Sequence, residues 1–121
     1  MTNTRVLIVE DEFFIADMLT MMAEDMGLEV CALAATAEEA ESLARQHAPD
    51  LVFMDVRLKG ERDGVDAAHA IHAMLPAPII YITGSRERAT IDRINADHPA
   101  CIVFKPFQFE QLRGAVQQVL G

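Results

Sequence analysis

Five short apolar runs punctuate the chain, and each is followed by a stretch in which apolar residues recur at helical spacing. The first run, Arg5-Val6-Leu7-Ile8-Val9, is rich in β-branched residues and shows no polar alternation, the pattern of a strand covered on both faces of a parallel sheet. Similar runs occupy Glu29 to Leu33, Leu51 to Met54, Pro78 to Ile82 and Cys101 to Phe104. The first helical stretch, about Glu12 to Met26, puts Ile15, Met18, Leu19, Met22 and Met26 on one face and meets Gly27, which offers a left-handed closing residue. A second begins at Thr36, with Glu39 three residues on as a capping box, and ends near His47 ahead of Pro49. The third runs from about Gly64 to Met74. The fourth, about Arg86 to Ala96, offers only Ala89, Ile91, Ile94 and Ala96 to a core, and the fifth covers about Phe109 to Leu120.

Strand and helix thus alternate along the whole chain. Parallel strands joined by helices need right-handed crossovers, which predicts an α/β fold: a doubly wound five-stranded parallel sheet of order 2-1-3-4-5, flavodoxin-like, in a single domain over residues 1–121. That order sets Cys31 and Cys101 on opposite edges, too far apart to bridge, so both are expected to be buried reduced thiols.

The 121 residues, 51% of them hydrophobic, suffice for a core without disulfides or a structural metal. No apolar run approaches the roughly 20 residues of a membrane span. The opening Met1-Thr2-Asn3-Thr4 lacks the layout of a signal peptide, and a cytoplasmic protein starting at its native Met1 is expected. Ten basic against 19 acidic residues, a formal net charge of −9, disfavour nucleic acid as a partner.

The polar residues that end the apolar runs are the candidate chemistry. Glu10 and Asp11 end the first strand, Asp55 the third, Thr83 the fourth and Lys105 the fifth, just before Pro106. In an open α/β sheet the carboxyl ends of strands 1, 3, 4 and 5 converge at the switch point where ligands bind. Three carboxylates brought together repel unless a cation lies among them, and an all-oxygen set leaving room for water and a phosphate oxygen suits Mg²⁺ better than Ca²⁺ or Zn²⁺. An Asp carboxylate can attack phosphorus, with the metal, Lys105 and Thr83 neutralising and orienting the transferring group.

The ordered set Val6-Leu7-Ile8-Val9-Glu10-Asp11-Glu12, Leu51-Val52-Phe53-Met54-Asp55, Ile82-Thr83-Gly84 and Lys105-Pro106-Phe107 resembles the receiver domain of bacterial two-component response regulators over essentially the whole chain. The resemblance implies a signalling protein and not an enzyme in its own right. It makes Asp55 the phosphoacceptor and Asp11 its partner in holding Mg²⁺. It places Glu10 at the metal through water and adds the Arg57 carbonyl as a further ligand. Thr83 and Lys105 become the groups that meet the phosphoryl, and the Lys105-Pro106 bond is expected to be cis. The donor would be a histidine kinase or histidine phosphotransfer protein, met along an outward stripe of Phe14, Asp17 and Met21, with output through a protein partner at the face of the fourth and fifth helices or as a phosphate sink. Two departures stand out. Ile102 occupies a position usually aromatic, and the loop Leu58 to Gly64 is one residue longer than is common.

Other signals carry less. His69 and His72 lie one turn apart without a third ligand nearby in sequence and read as solvated helix residues. Met18, Met22 and Met26 fit the core period, and Arg86, Arg88 and Arg93 read as a solvated face that could dock an acidic partner. A receiver cut from a larger transcription factor or hybrid kinase is the alternative. A small Asp-nucleophile phosphatase would need a second Asp where Arg57 stands.

Overall fold

The computed structural model describes residues 3–121, so the Met1-Thr2 start lies outside the described residues. Strands and helices alternate as β1 (Arg5–Val9), α1 (Phe13–Asp25), β2 (Glu29–Ala34), α2 (Ala37–His47), β3 (Leu51–Met54), α3 (Gly64–Met74), β4 (Ile79–Thr83), α4 (Arg88–Ala96), β5 (Cys101–Phe104) and α5 (Phe109–Leu120). All strand pairs are parallel and the order is β2-β1-β3-β4-β5.

Because successive strand residues point to opposite faces, each apolar run feeds two cores. Leu7, Val9, Val52, Met54, Ile79 and Tyr81 pack toward α2, α3 and α4, while Val6, Ile8, Phe53, Ile80, Ile82 and Val103 pack toward α1 and α5. Covering on both faces is what removes polar alternation from β1, β3 and β4. The capping reading of α2 holds: Thr36 Oγ1 accepts from the Glu39 amide at 3.1 Å, and the Glu39 carboxylate accepts from the Ala35 amide. Gly27 ends α1 at φ +84°, a conformation glycine adopts without strain.

Several expectations need correction. Met18 is 38% exposed, because α1 docks through the small Ala16 and Ala23 with Leu19, which rotates the larger residue outward. Ile15, Met22 and Met26 pack against the core only in part. Cys31 and Cys101 are half-buried, on the two edge strands.

The largest revision concerns α4. It begins at Arg88, two residues later than the periodicity suggests, since Ser85 Oγ accepts from the Glu87 amide and holds the connection outside the helix. Only Ile94 is fully buried; Ala89 and Ala96 are exposed. Ile91 packs against the core in part, and polar contacts to α3 add to the anchorage. Arg93 forks onto Asp63, the N-cap of α3, at 2.7 and 3.1 Å and reaches Asp66 at 3.4 Å, so it is not a free docking cation. Asp97 at the far end takes His72 Nδ1 at 2.9 Å and His69 Nδ1 at 3.3 Å. His69 is solvated as expected, but His72 is largely covered and both imidazoles are tied to α4. Burial pushes Asp63 up, but Arg93 and the Asp66 amide outweigh it and hold the carboxyl below its ordinary range.

Candidate functional site

The carboxyl ends of β1, β3, β4 and β5 meet in an open cleft of about 570 Å³ lined by Asp11, Asp55, Arg57, Thr83, Arg86 and Lys105, among others. Glu10 is buried and does not line the cleft. Carboxylate oxygens of Glu10, Asp11 and Asp55 come within 4.8 Å of one another. Neighbouring strands in parallel register bring these ends level: Val9 pairs with Met54, Met54 with Tyr81, and Thr83 with Phe104. Glu10 follows Val9, Asp55 follows Met54 and Lys105 follows Phe104, while Thr83 is itself the last paired residue of β4.

Lys105 Nζ lies 2.9 Å from Glu10 Oε1 and 3.4 Å from Asp55 Oδ2. Glu10 is buried and its second oxygen accepts from the Glu12 amide at 3.1 Å, so both its oxygens are engaged. Asp55 is also buried, and its Oδ1 accepts from the Val56 amide at 2.8 Å, which leaves Oδ2 toward Lys105. Burial foremost, then the charge of Glu10, push the Asp55 carboxyl up to about 7 against the opposing pull of Lys105. Burial alone would lower the Lys105 ammonium, but its bond to Glu10 and the charges of Asp55 and Glu10 hold it above its ordinary value. The three carboxylates exceed the one half-buried ammonium in number, the electrostatic situation that a hard divalent cation relieves.

Thr83 is buried and its Oγ1 accepts from the Ser85 amide at 3.0 Å, so the hydroxyl folds the segment that follows it. The Lys105-Pro106 bond is cis, as expected. The longer loop after Asp55 is pinned in several places: Lys59 bridges to Thr36 and Arg62 pairs with Glu41 and Glu38 of α2. Where the loop enters α3, Gly64 passes so close to Asp55 that a Cβ there would lie 1.8 Å from the Asp55 carbonyl oxygen.

The family model for the response regulator receiver domain matches residues 6–117. This chain belongs to the receiver domain family. The transcriptional regulatory protein PdtaR of Mycobacterium tuberculosis is 38% identical over 113 residues, 93% of this chain and 55% of PdtaR. The chemotaxis protein CheY of Bacillus subtilis is 34% identical over 119 residues, 97% of this chain and 98% of CheY. The receiver domain thus spans about half the length of PdtaR and nearly all of CheY. Among solved structures, the signal receiver domain of a modulated diguanylate cyclase from Desulfovibrio desulfuricans superposes with a TM-score of 0.92 at 31% identity, covering 98% of this chain and 94% of that one.

The structure brings Glu10, Asp11, Asp55, Thr83 and Lys105 together and sets Arg57 at the rim. Phe14, Asp17 and Met21 face outward on α1 as the period implied; Phe14 is 87% exposed and Phe13 packs edge-on against it. A separate apolar hollow formed by Ile15, Met18, Pro106, Phe107 and the Lys105 stem lies between α1 and the β5–α5 connection. Sequence reasoning missed two arginines. Arg62 gave no signal because its partners lie on α2, and Arg86 read as helix surface although it belongs to the cleft rim.

Proposed function

We propose that this receiver domain is a phosphoacceptor: Asp55 takes a phosphoryl group from a histidine kinase or histidine phosphotransfer protein with the help of Mg²⁺. The observation that carries the reading is the placement of Asp55 Oδ2 on Lys105 within a cleft shared with Asp11 and Thr83. In the transfer, an Asp55 oxygen forms a bond to phosphorus while the bond from phosphorus to the donor imidazole nitrogen breaks. The donor imidazole, protonated on its other ring nitrogen, leaves with the electron pair of the broken bond and is thereby neutral. Lys105 compensates charge on the phosphoryl oxygens, and the Thr83 hydroxyl turns from the Ser85 amide to donate to one of them.

The donor set fits a hard cation: the side chains of Asp11 and Asp55 and the Arg57 carbonyl would hold Mg²⁺, with Glu10 reaching it through water. Such an ion supplies charge neutralisation on the transferring oxygens. Glu10 serves a second purpose by holding Lys105 in place.

Output runs through a protein partner at the α4 and α5 face, or the domain drains phosphoryl groups from its kinase as a sink. A second reading is favoured by the coverage of PdtaR: the chain is the receiver module of a longer regulator. The net charge of −9 argues against nucleic acid as its direct partner.

Acetyl phosphate with Mg²⁺ should add one phosphoryl group by intact mass, and neither Asp55→Asn nor excess chelator should permit it. Equal labelling of Asp55→Asn would overturn the assignment.

A further inference from the structure

Ile102 leaves no ring at the position where many receivers couple an aromatic side chain to their Thr, yet an aromatic residue stands directly opposite Thr83. Thr83 and Phe104 are register partners on β4 and β5. Phe104 shares a strand face with Ile102, which packs toward the α4 side of the sheet. Over the Phe104 ring lies the Arg86 guanidinium, its Cζ 4.2 Å from the centroid.

Arg86 also belongs to two hollows at once. It lines the acceptor cleft with Asp55, Thr83 and Lys105, and it lines a groove of about 530 Å³ along β5 and α5 with Ile102, Phe104 and Gln111. Among the described residues Arg86 makes no ion pair and no side-chain hydrogen bond, and its guanidinium rests on the ring. The backbone leading to it hangs on Thr83, whose hydroxyl accepts from the Ser85 amide.

We propose that Arg86 reads the phosphoryl group: once Asp55 is phosphorylated, the guanidinium leaves the Phe104 ring for a phosphoryl oxygen and bares the ring to the β5–α5 groove. The inference rests on the acceptor reading of Asp55. Phosphorylation adds roughly one further negative charge and strong acceptor oxygens to the cleft. A planar guanidinium meets such oxygens with charge-assisted hydrogen bonds, which outweigh a cation–π contact at a solvent-facing site. Turning the Thr83 hydroxyl toward the same group frees the Ser85 amide and loosens the two-residue tether to Arg86. The uncovered ring would offer an apolar anchor to a partner only in the phosphorylated state.

The test uses protein labelled with 4-fluorophenylalanine, with the Phe104 resonance identified as the one missing from Phe104→Leu. Acetyl phosphate and Mg²⁺ load the protein while intact mass follows Asp55. In wild type, loading should shift the Phe104 resonance in proportion to Asp55 occupancy. In Arg86→Gln the unloaded resonance should already sit at the loaded wild-type position and move by less than about a fifth as far on loading. An unmoved Phe104 resonance in wild type loaded at Asp55, or an equal shift in Arg86→Gln, would overturn the role of Arg86. Absence of any mass gain at Asp55 would overturn the acceptor reading, and this inference with it, by a separate readout.

Discussion

Glu10 and Lys105 form a partly buried ion pair at 2.9 Å that holds the ammonium within 3.4 Å of Asp55, the carboxylate it is proposed to serve. Removing the ammonium with Lys105→Met should slow labelling by acetyl phosphate about 10-fold or more, the scale expected for one electrostatic group aimed at developing charge. It should also raise the Asp55 carboxyl further, because the one opposing cation is gone. Time courses by intact mass at fixed Mg²⁺ check the first effect. An unchanged rate would remove Lys105 from the transfer.

The upward displacement of Asp55 to about 7 makes stability depend on pH. Between the ordinary carboxyl value and about 7 the folded protein binds more protons than the unfolded chain, so this contribution to stability is full below that window and is lost as pH rises through it. In metal-free buffer, urea denaturation at pH 5 and pH 8 should show the wild type losing on the order of a few kcal/mol relative to Asp55→Asn. Mg²⁺ at pH 8 should restore much of the difference in wild type alone.

Gly64 is required where α3 starts. A Cβ 1.8 Å from the Asp55 carbonyl oxygen cannot be accommodated without moving backbone, since the Gly64 amide is itself bonded to the Val56 carbonyl at 2.7 Å. Gly64→Ala should cost about 1–3 kcal/mol in urea denaturation and lower labelling at Asp55 as well. Loss of neither would contradict the close approach.

Arg93→Ala should release α4. The fork onto Asp63 is partly exposed, so the global cost should be only about 0.5–1 kcal/mol. Amide exchange at Ile91 and Ile94 should accelerate more than exchange in β1 or β3, because local opening needs little energy where one residue is fully buried. In wild type, beryllofluoride should change exchange across α4. Changes confined to the loops around Asp11 and Asp55 would favour a phosphate sink.

The donor should dock on the outward face of α1. Phe14→Ala combined with Met21→Ala removes two exposed apolar side chains outside the cleft, and should slow transfer from the cognate kinase while acetyl phosphate labelling persists. Unchanged transfer from the kinase would place the interface elsewhere.

What the chain determined by itself is the alternation of elements and the set of strand-end residues. A strand covered on both faces must be apolar throughout, so Val6 to Val9 and Leu51 to Met54 announce their burial, and the first polar residue after each marks the strand's carboxyl end. The Thr36 cap was legible because its partner lies three residues away. What only the tertiary structure decided are pairings between residues distant in sequence: Arg93 with Asp63, Asp97 with His69 and His72, Arg62 with Glu41, and Arg86 with Phe104. Periodicity weighs residues by size and polarity along one helix. It therefore turned Met18 inward, where the small Ala16 and Ala23 give the closer fit to the sheet, and it valued α4 only by its apolar residues. The charged contacts that anchor α4 depend on which helices the doubly wound order sets side by side, a property of the packed sheet that no local stretch of sequence contains.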